Sequence, residues 1–153
     1  MTRGLYFSDF HIGQEFTSGR RTITETDLVL FAGFTGDYNP LHTDVIFART
    51  TRFKQRIAHG MLVTSISTGL VHALGIFDGS VIGLMSQSFQ YKAPTFIGDT
   101  IHIKLTVMST NLSSKGGKGR VVFKADIFKH DDTLVNTGDW MLMFKDKPKS
   151  QGT

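Results

Sequence analysis

The segment 60–76 constrains the fold more than any other. Met61, Leu62, Val63, Ile66, Leu70, Val71, Ala73, Leu74 and Ile76 are apolar, and Thr64, Ser65, Ser67, Thr68 and Gly69 between them are small. A helix that is apolar around most of its circumference is a helix surrounded by other structure. The rest of the chain must therefore supply a surface to enclose it. Gly69 and the β-branched residues lower intrinsic helix propensity, so such a helix draws its stability from burial.

The sequence that follows supplies that surface. Residues 80–92, 100–111, 119–129 and 134–145 read as strands, and Ile101-His102-Ile103-Lys104-Leu105-Thr106-Val107 alternates at period two. Turn residues separate them at Ala93-Pro94, Gly98-Asp99, 113–119 and 130–132. Consecutive strands with short turns predict an antiparallel meander, and one long helix against it predicts an α+β domain. Upstream, residues 15–23 read as a first strand. Thr24 with Asp27 three residues on predicts a helix start, and Gly36 predicts its end. Asp44 opens a short helix over 44–50. We expect one domain over residues 1–145 and a polar tail over 146–153 that frays from Lys145. A chain of 153 residues can bury a core without covalent staples.

Composition removes several classes of chemistry. The chain has no cysteine, which excludes disulfides, thiolate zinc sites and a cysteine nucleophile. No segment has the length and apolarity of a signal peptide or a bilayer span, so the expected setting is the cytoplasm, with no membrane partner. The net charge is +4 and the sequence pI about 9.5. The densest basic cluster is Arg49, Arg52, Lys54 and Arg56, which suits a solvated face or a phosphate-bearing small molecule. No nucleic-acid motif accompanies it, and no nucleic-acid partner is expected. The stretch Ser113-Ser114-Lys115-Gly116-Gly117-Lys118-Gly119-Arg120 lacks the order of a phosphate loop and reads as an exposed hairpin turn.

Chemistry concentrates in Gly36-Asp37-Tyr38-Asn39-Pro40-Leu41-His42. A carboxylate and an imidazole flank a stiff Asn-Pro step. Converging on one water, they can take a proton from it and return one elsewhere, which is worth roughly 10²–10⁴-fold in rate. Asx-Pro turns also occur without any function. Gly60, at the head of the apolar helix, leaves a backbone N–H where the helix carries about half a positive charge. That is a ready oxyanion donor, and equally an ordinary helix-start glycine. His59 beside it caps the helix, lines a pocket or simply packs. His72 lies on the helix; His11, His102 and His130 are scattered. His42, Asp44 and His59 lack a recognised metal spacing, and no metal is expected.

Together, Gly36-Asp37-Tyr38-Asn39-Pro40-Leu41-His42 and Ile57-Ala58-His59-Gly60-Met61-Leu62 resemble the MaoC-like (R)-specific enoyl-CoA hydratase family. Its D-x-N-P-x-H signature is matched at every defined position, and the HGM helix start follows at the expected distance. The resemblance runs from about Gly13 to Phe144 and includes Tyr91-Lys92-Ala93-Pro94 and Phe96-Ile97-Gly98-Asp99. It implies a hotdog fold, an antiparallel sheet wrapped around a long helix, and a homodimer with its sites near the subunit interface. It implies that Asp37 and His42 hold a catalytic water and that Gly60 donates to a thioester carbonyl. The reaction implied is reversible hydration of a trans-2-enoyl-CoA to the (R)-3-hydroxyacyl-CoA, with no cofactor. Which of Asp37 and His42 is base and which is acid stays open.

The same resemblance makes Asn39 and Pro40 the residues that fix the loop, with Asn39 on the substrate side. Thr68 stands where short-chain members carry serine, and Thr68, Val71 and His72 are the expected acyl pocket. Charge places the coenzyme A phosphates near Arg49, Arg52, Lys54 or Arg56. A dehydratase acting on acyl-carrier-protein thioesters, or on a specialised hydroxyacyl-CoA, would use the same Asp37/His42 pair. A thioesterase fits less well, since those families lack this segment. A non-catalytic hotdog module that binds acyl-CoA is the alternative from another class, and it predicts that Asp37 is replaceable.

Overall fold

The computed structural model describes residues 4–148. Two short strands open the fold, β1 (Glu15–Thr17) and β2 (Arg21–Thr22), both antiparallel to β5 (Thr100–Leu112). The single strand expected over 15–23 is thus interrupted. Ser18 causes the break: its N–H donates to the Ile103 carbonyl, while its hydroxyl accepts the Ile103 N–H that a strand carbonyl would otherwise take (2.9 and 3.0 Å).

Three helices follow, each begun by the residue type its start requires. Thr24 caps α1 (Glu25–Thr35) in a reciprocal capping box with Asp27, and Gly36 ends it at φ +76°. A cap of this kind is worth about 1 kcal/mol. Asn39 caps α2 (Pro40–Thr43), one turn with Pro40 at its first position, where a missing N–H costs nothing. Asp44 caps α3 (Val45–Thr50) by accepting from the Ile46 and Phe47 N–H groups.

The long helix is α4 (Gly60–Ala73); β3 (Val81–Gln87), β4 (Gln90–Tyr91), β6 (Lys118–Lys129) and β7 (Leu134–Lys145) complete the elements. The helix stops at Ala73 rather than Ile76 because Gly75 turns left-handed at φ +71°. Ile101, Ile103, Leu105 and Val107 from β5, Val121 and Phe123 from β6, and Trp140, Leu142 and Phe144 from β7 are buried. They share one apolar cluster with Leu62, Val63, Ile66 and Val71 of α4. Each such side chain contributes roughly 1.5–3 kcal/mol by leaving water.

Two expectations about this layer need correction. First, β5, β6 and β7 form a meander, but β3 does not lie beside β5. The order is β1-β5-β6-β7-β3, with β2 on β5 and β4 on β7. The segment 92–99 carries the chain across. It is held by Ala58 N–H to the Thr95 carbonyl on one side and by the Ile23–Asp99 and Gly98–Ile23 backbone pairs on the other. Second, α4 is not enclosed all round. Met61 is 51% exposed, and Ser65, Thr68, Gly69 and His72 are exposed on the same face. The small residues of the sequence pattern mark an uncovered stripe as well as close packing. Val81, Ile82, Leu84 and Met85 of the edge strand β3 are exposed too.

The fraying expected from Lys145 is not what the structure holds. Lys145 completes β7, Asp146 N–H donates to the Gly117 carbonyl, and Lys147 pairs with Asp9. The rest of the expected tail, 149–153, lies outside the described residues. Residues 113–117 form the turn of the β5–β6 hairpin, as expected. No helix among the described residues is long and apolar enough to cross a membrane.

Candidate active site

The loop between α1 and α2 brings Asp37 and His42 to the start of α4. Left-handed Gly36 turns the chain out of α1. The Asp37 carboxylate accepts the Asn39 N–H (3.2 Å), and the Asn39 side chain accepts the Leu41 N–H (3.0 Å). Both short polar side chains thus hold their own backbone, as Asx turns do. Asn39, expected on the substrate side, spends its oxygen on capping α2, which makes it a residue of the loop's architecture.

His42 is half-buried, and its Nδ1 lies 2.8 Å from the Ile57 carbonyl. A carbonyl only accepts, so Nδ1 carries the proton and Nε2 presents a lone pair. Burial pushes the His42 pKa below the ordinary imidazole value. Neighbouring His59 also lowers it, against opposing contributions from the Ile57 carbonyl and Asp37. The ring is therefore a neutral proton acceptor at neutral pH.

His59 is 3% exposed. Its ring stacks on that of His42 at 3.8 Å and 29°, with Phe31 tilted against it at 5.0 Å. Its Nε2 lies 3.0 Å from the Asp37 carbonyl, and its Nδ1 has no partner. Of the roles open to it from sequence, capping is ruled out, because its side chain makes no cap bond to α4.

Gly60 is the first residue of α4, and its N–H has no acceptor among the described residues. A Cβ at this position would meet the Tyr91 ring at 2.5 Å, so the glycine is also what lets Tyr91 lie across the helix start. The Gly60 carbonyl is held from behind: Thr64 Oγ1 donates to it, and Asn136 Nδ2 on β7 donates to Thr64 Oγ1 (3.1 Å each). Asp37, His42 and Gly60 open into one cavity of about 560 Å³, whose walls include Phe53, Val63, Tyr91 and the buried Asn136.

Other expected residues lie elsewhere. Thr68, Val71 and His72 line a separate hollow of about 340 Å³ with Phe77, Leu84 and Trp140. The eight helical steps from Gly60 to Thr68 span about 12 Å. Within one chain, these three do not join the cavity that holds Asp37 and His42. Of the basic cluster, only Arg52 lines that cavity; Arg49, Lys54 and Arg56 surround a third hollow with Ile97. Arg56 is engaged by Glu25 through both guanidinium nitrogens, one at 2.8 Å.

The metal triplet drawn from sequence is also rearranged. Asp44 caps α3, whereas Asp37, His42 and His59 bring ligand-type atoms within 4.8 Å of one another.

Sequence reasoning undervalued His59 and passed over Asn136 and Lys92, which also lines the cavity. An asparagine at even spacing with the inward Trp140, Leu142 and Phe144 of β7 was the available signal for Asn136. Lys92 had only its place beside Tyr91.

Residues 9–126 match the family model described as "MaoC like domain". A curated (R)-specific enoyl-CoA hydratase from Rhodospirillum rubrum is 45% identical over 104 residues, 67% of this chain and 69% of that protein. The solved structure of the R-hydratase PhaJ1 from Pseudomonas aeruginosa superposes with a TM-score of 0.78 at 28% identity, covering 94% of this chain and 88% of that one. A second solved structure, of a monoamine oxidase regulatory protein from Archaeoglobus, superposes with a TM-score of 0.89 at 36% identity, covering 96% and 98%. A long helix held by an antiparallel sheet whose β3 crosses to pair with β7 is the hotdog arrangement, and the chain belongs to the MaoC-like domain family of that fold.

Proposed function

We propose that this protein adds water across the double bond of trans-2-enoyl-CoA thioesters to give (R)-3-hydroxyacyl-CoA, and runs the reverse dehydration. It is a hydro-lyase of the (R)-specific enoyl-CoA hydratase kind. One observation carries the residue assignment. The lone pair of His42 Nε2, the Asp37 carboxylate and the free Gly60 N–H face a single cavity.

A water between Asp37 and His42 meets two acceptors and must point both its protons at them. Its oxygen then attacks C3. One proton passes to His42 Nε2, and the imidazolium so formed is stabilised by the Asp37 carboxylate beside it. The π electrons move toward the thioester oxygen, where Gly60 N–H and the positive end of α4 stabilise the enolate. Collapse of the enolate takes the proton from His42 at C2. One water is consumed, its hydroxyl ends on C3 and its proton on C2, and the enzyme is restored. One oxyanion donor of this kind contributes about 3–4 kcal/mol to the transition state.

The protein acts as a homodimer. The exposed stripe of α4 and the exposed apolar side chains of edge strand β3 form the kind of surface that a second copy covers. For the Thr68–Val71–His72 hollow to serve as an acyl pocket, it must meet the cavity of a second copy, since it does not join the one in its own chain. Arg52 at the cavity, with Arg49 and Lys54 beyond it, suits the coenzyme A phosphates. Arg56, held by Glu25, serves the fold instead.

The test is turnover of crotonyl-CoA, followed as loss of the conjugated thioester absorbance, with chiral analysis of the product. Formation of the (R)-alcohol that collapses in Asp37→Asn and His42→Ala is the expected result. Turnover only with acyl-carrier-protein thioesters would reassign the handle while keeping the chemistry. Saturable acyl-CoA binding without any turnover would make the chain a binding module.

A further inference from the structure

We propose that His59 is a positioning residue that sets both halves of the Asp37–His42 pair at once. The inference rests on the hydratase reading for its kinetic consequence, though not for its structural content. Asp37 lies on an exposed loop, and the bonds of its N–H and carboxylate, to Thr35 and Asn39, stay within that loop, whereas His42 sits half-buried on α2 against Ile57. His59 supplies a link between the two from the rigid start of α4. Its Nε2 faces the Asp37 carbonyl at 3.0 Å. The carbonyl only accepts, so Nε2 carries the ring proton and donates it, tying the Asp37 main chain to the helix. The face of the same ring lies under His42 at 3.8 Å, so the His42 plane is fixed between this stack and its Ile57 bond. Phe31 packs tilted against His59 at 5.0 Å.

The remaining nitrogen, Nδ1, is buried without a partner. The stack sets the His59 ring directly against His42 and opposes protonation of His42. The Asp37 carboxylate lies within 4.8 Å of both imidazoles, and Arg52, Lys92 and Tyr91 line the same cavity. With His59 in place, His42 stays a free base to lower pH.

Two substitutions separate the donor from the ring. His59→Gln keeps an N–H near the Nε2 position and removes the stack. His59→Phe keeps the stacked ring and removes the donor. In His59→Phe, kcat on crotonyl-CoA falls by up to about a hundred-fold while KM holds, because a misplaced catalytic group costs that much. His59→Gln recovers most of that loss. In both variants the acid limb of the pH–kcat profile moves up, since the imidazole opposing protonation of His42 is gone. Equal losses in the two variants that follow their melting temperatures, with the acid limb unmoved, would reduce His59 to packing and overturn the proposal. If the native protein hydrates no enoyl thioester, the functional reading fails. The inference is then decided by an NMR titration of His42, whose pKa must rise in both variants and whose Nδ1–H tautomer must persist in the native protein.

Discussion

The two ends of α4 carry opposite kinds of sequence information. At its start, every group is positioned by neighbours within the same chain. Asp37 and Asn39 bind their own backbone, His42 is held by Ile57, and Gly60 is packed under Tyr91 and supported through Thr64 by Asn136. Toward its end, Thr68 and His72 are exposed beside Leu84 of an uncovered edge strand, and their hollow has no catalytic group in it. The first region draws all its groups from one copy, whereas the second leaves an apolar surface uncovered, which the proposed dimer would cover. Chemistry is therefore expected to depend on the first region absolutely and on the second only by degree.

The largest effect tests that asymmetry directly. Asp37→Asn and His42→Ala are each expected to lower kcat by roughly 10²–10⁴-fold, the range for lost acid–base catalysis. Steady-state kinetics on purified variants check it, with melting temperature as the control for folding. A Thr68 or Val71 variant that loses as much kcat as these two would erase the distinction between the ends.

The next effect concerns what covers the second region. Leu84→Asp and Met85→Lys place charge on the exposed face of β3. If a second copy lies there, light scattering will find monomer where the native protein is dimeric, and activity will drop by about ten-fold or more as the acyl wall is lost. A native protein that is monomeric and fully active would remove the second copy from the site altogether.

How the sequence could and could not reach this picture follows from the same contrast. The Thr24–Asp27 capping box, the Asx-Pro step and the alternation of β5 are local, and residues 24–27, 36–44 and 100–107 adopt what their side chains dictate. The crossing of β3 to β7 is not local. It depends on the 92–99 segment finding Ala58 and Ile23, and period-two alternation is identical whichever strand lies next to it. Ser18 interrupts the first strand because its hydroxyl competes for a ladder bond, which depends on the register against Ile103. At the proposed site, Asp37 and His42 stand in one short motif and Gly60 in a second, and the resemblance rests on both. Asn136 reaches the same cavity from 76 residues beyond Gly60 and carries no motif. Arg56 read as a ligand residue because composition does not register a partner 31 positions upstream in Glu25.

Specificity offers a graded test of the second region. Val71→Ala enlarges the hollow and Thr68→Ser keeps its hydroxyl while removing a methyl group. The ratio of kcat/KM for hexenoyl-CoA over crotonyl-CoA is expected to rise by roughly ten-fold or more, the scale for one or two methylenes in an apolar pocket. His42-dependent kcat on crotonyl-CoA should change little. An unchanged ratio would place the acyl chain wholly within the 560 Å³ cavity of one copy.

The pH dependence draws on the first region alone. In the proposed mechanism His42 acts as a base only when neutral, so kcat is expected to fall as the pH drops through its folded-state pKa. That pKa is depressed by burial and by His59, so the acid limb lies below the ordinary imidazole value. The same shift acts on stability with a fixed sign. The unfolded chain binds the proton more readily than the folded one. The contribution is therefore present above the unfolded imidazole value near 6.5 and is lost as the pH falls toward the folded one. An acid limb at or above the ordinary value would mean that His42 is charged in the resting site, and Asp37 would then have to be the base.

The smallest effect separates the basic residues by what already holds them. Arg52 lines the cavity with its guanidinium over the Phe53 ring at 4.7 Å, whereas Arg56 is held by Glu25. Arg52→Ala should raise KM for the coenzyme A thioester several-fold, more so at low salt, since an exposed charge near a phosphate is screened over about 10 Å at 0.1 M. Arg56→Ala should leave KM unchanged and cost no more than about 1 kcal/mol of stability, because Glu25 is itself largely exposed and the pair is screened by solvent. A titration of KM against salt for the two variants reads both at once. If Arg56→Ala raises KM as much as Arg52→Ala does, the Glu25 pair must open on binding, and the guanidinium belongs to the ligand after all.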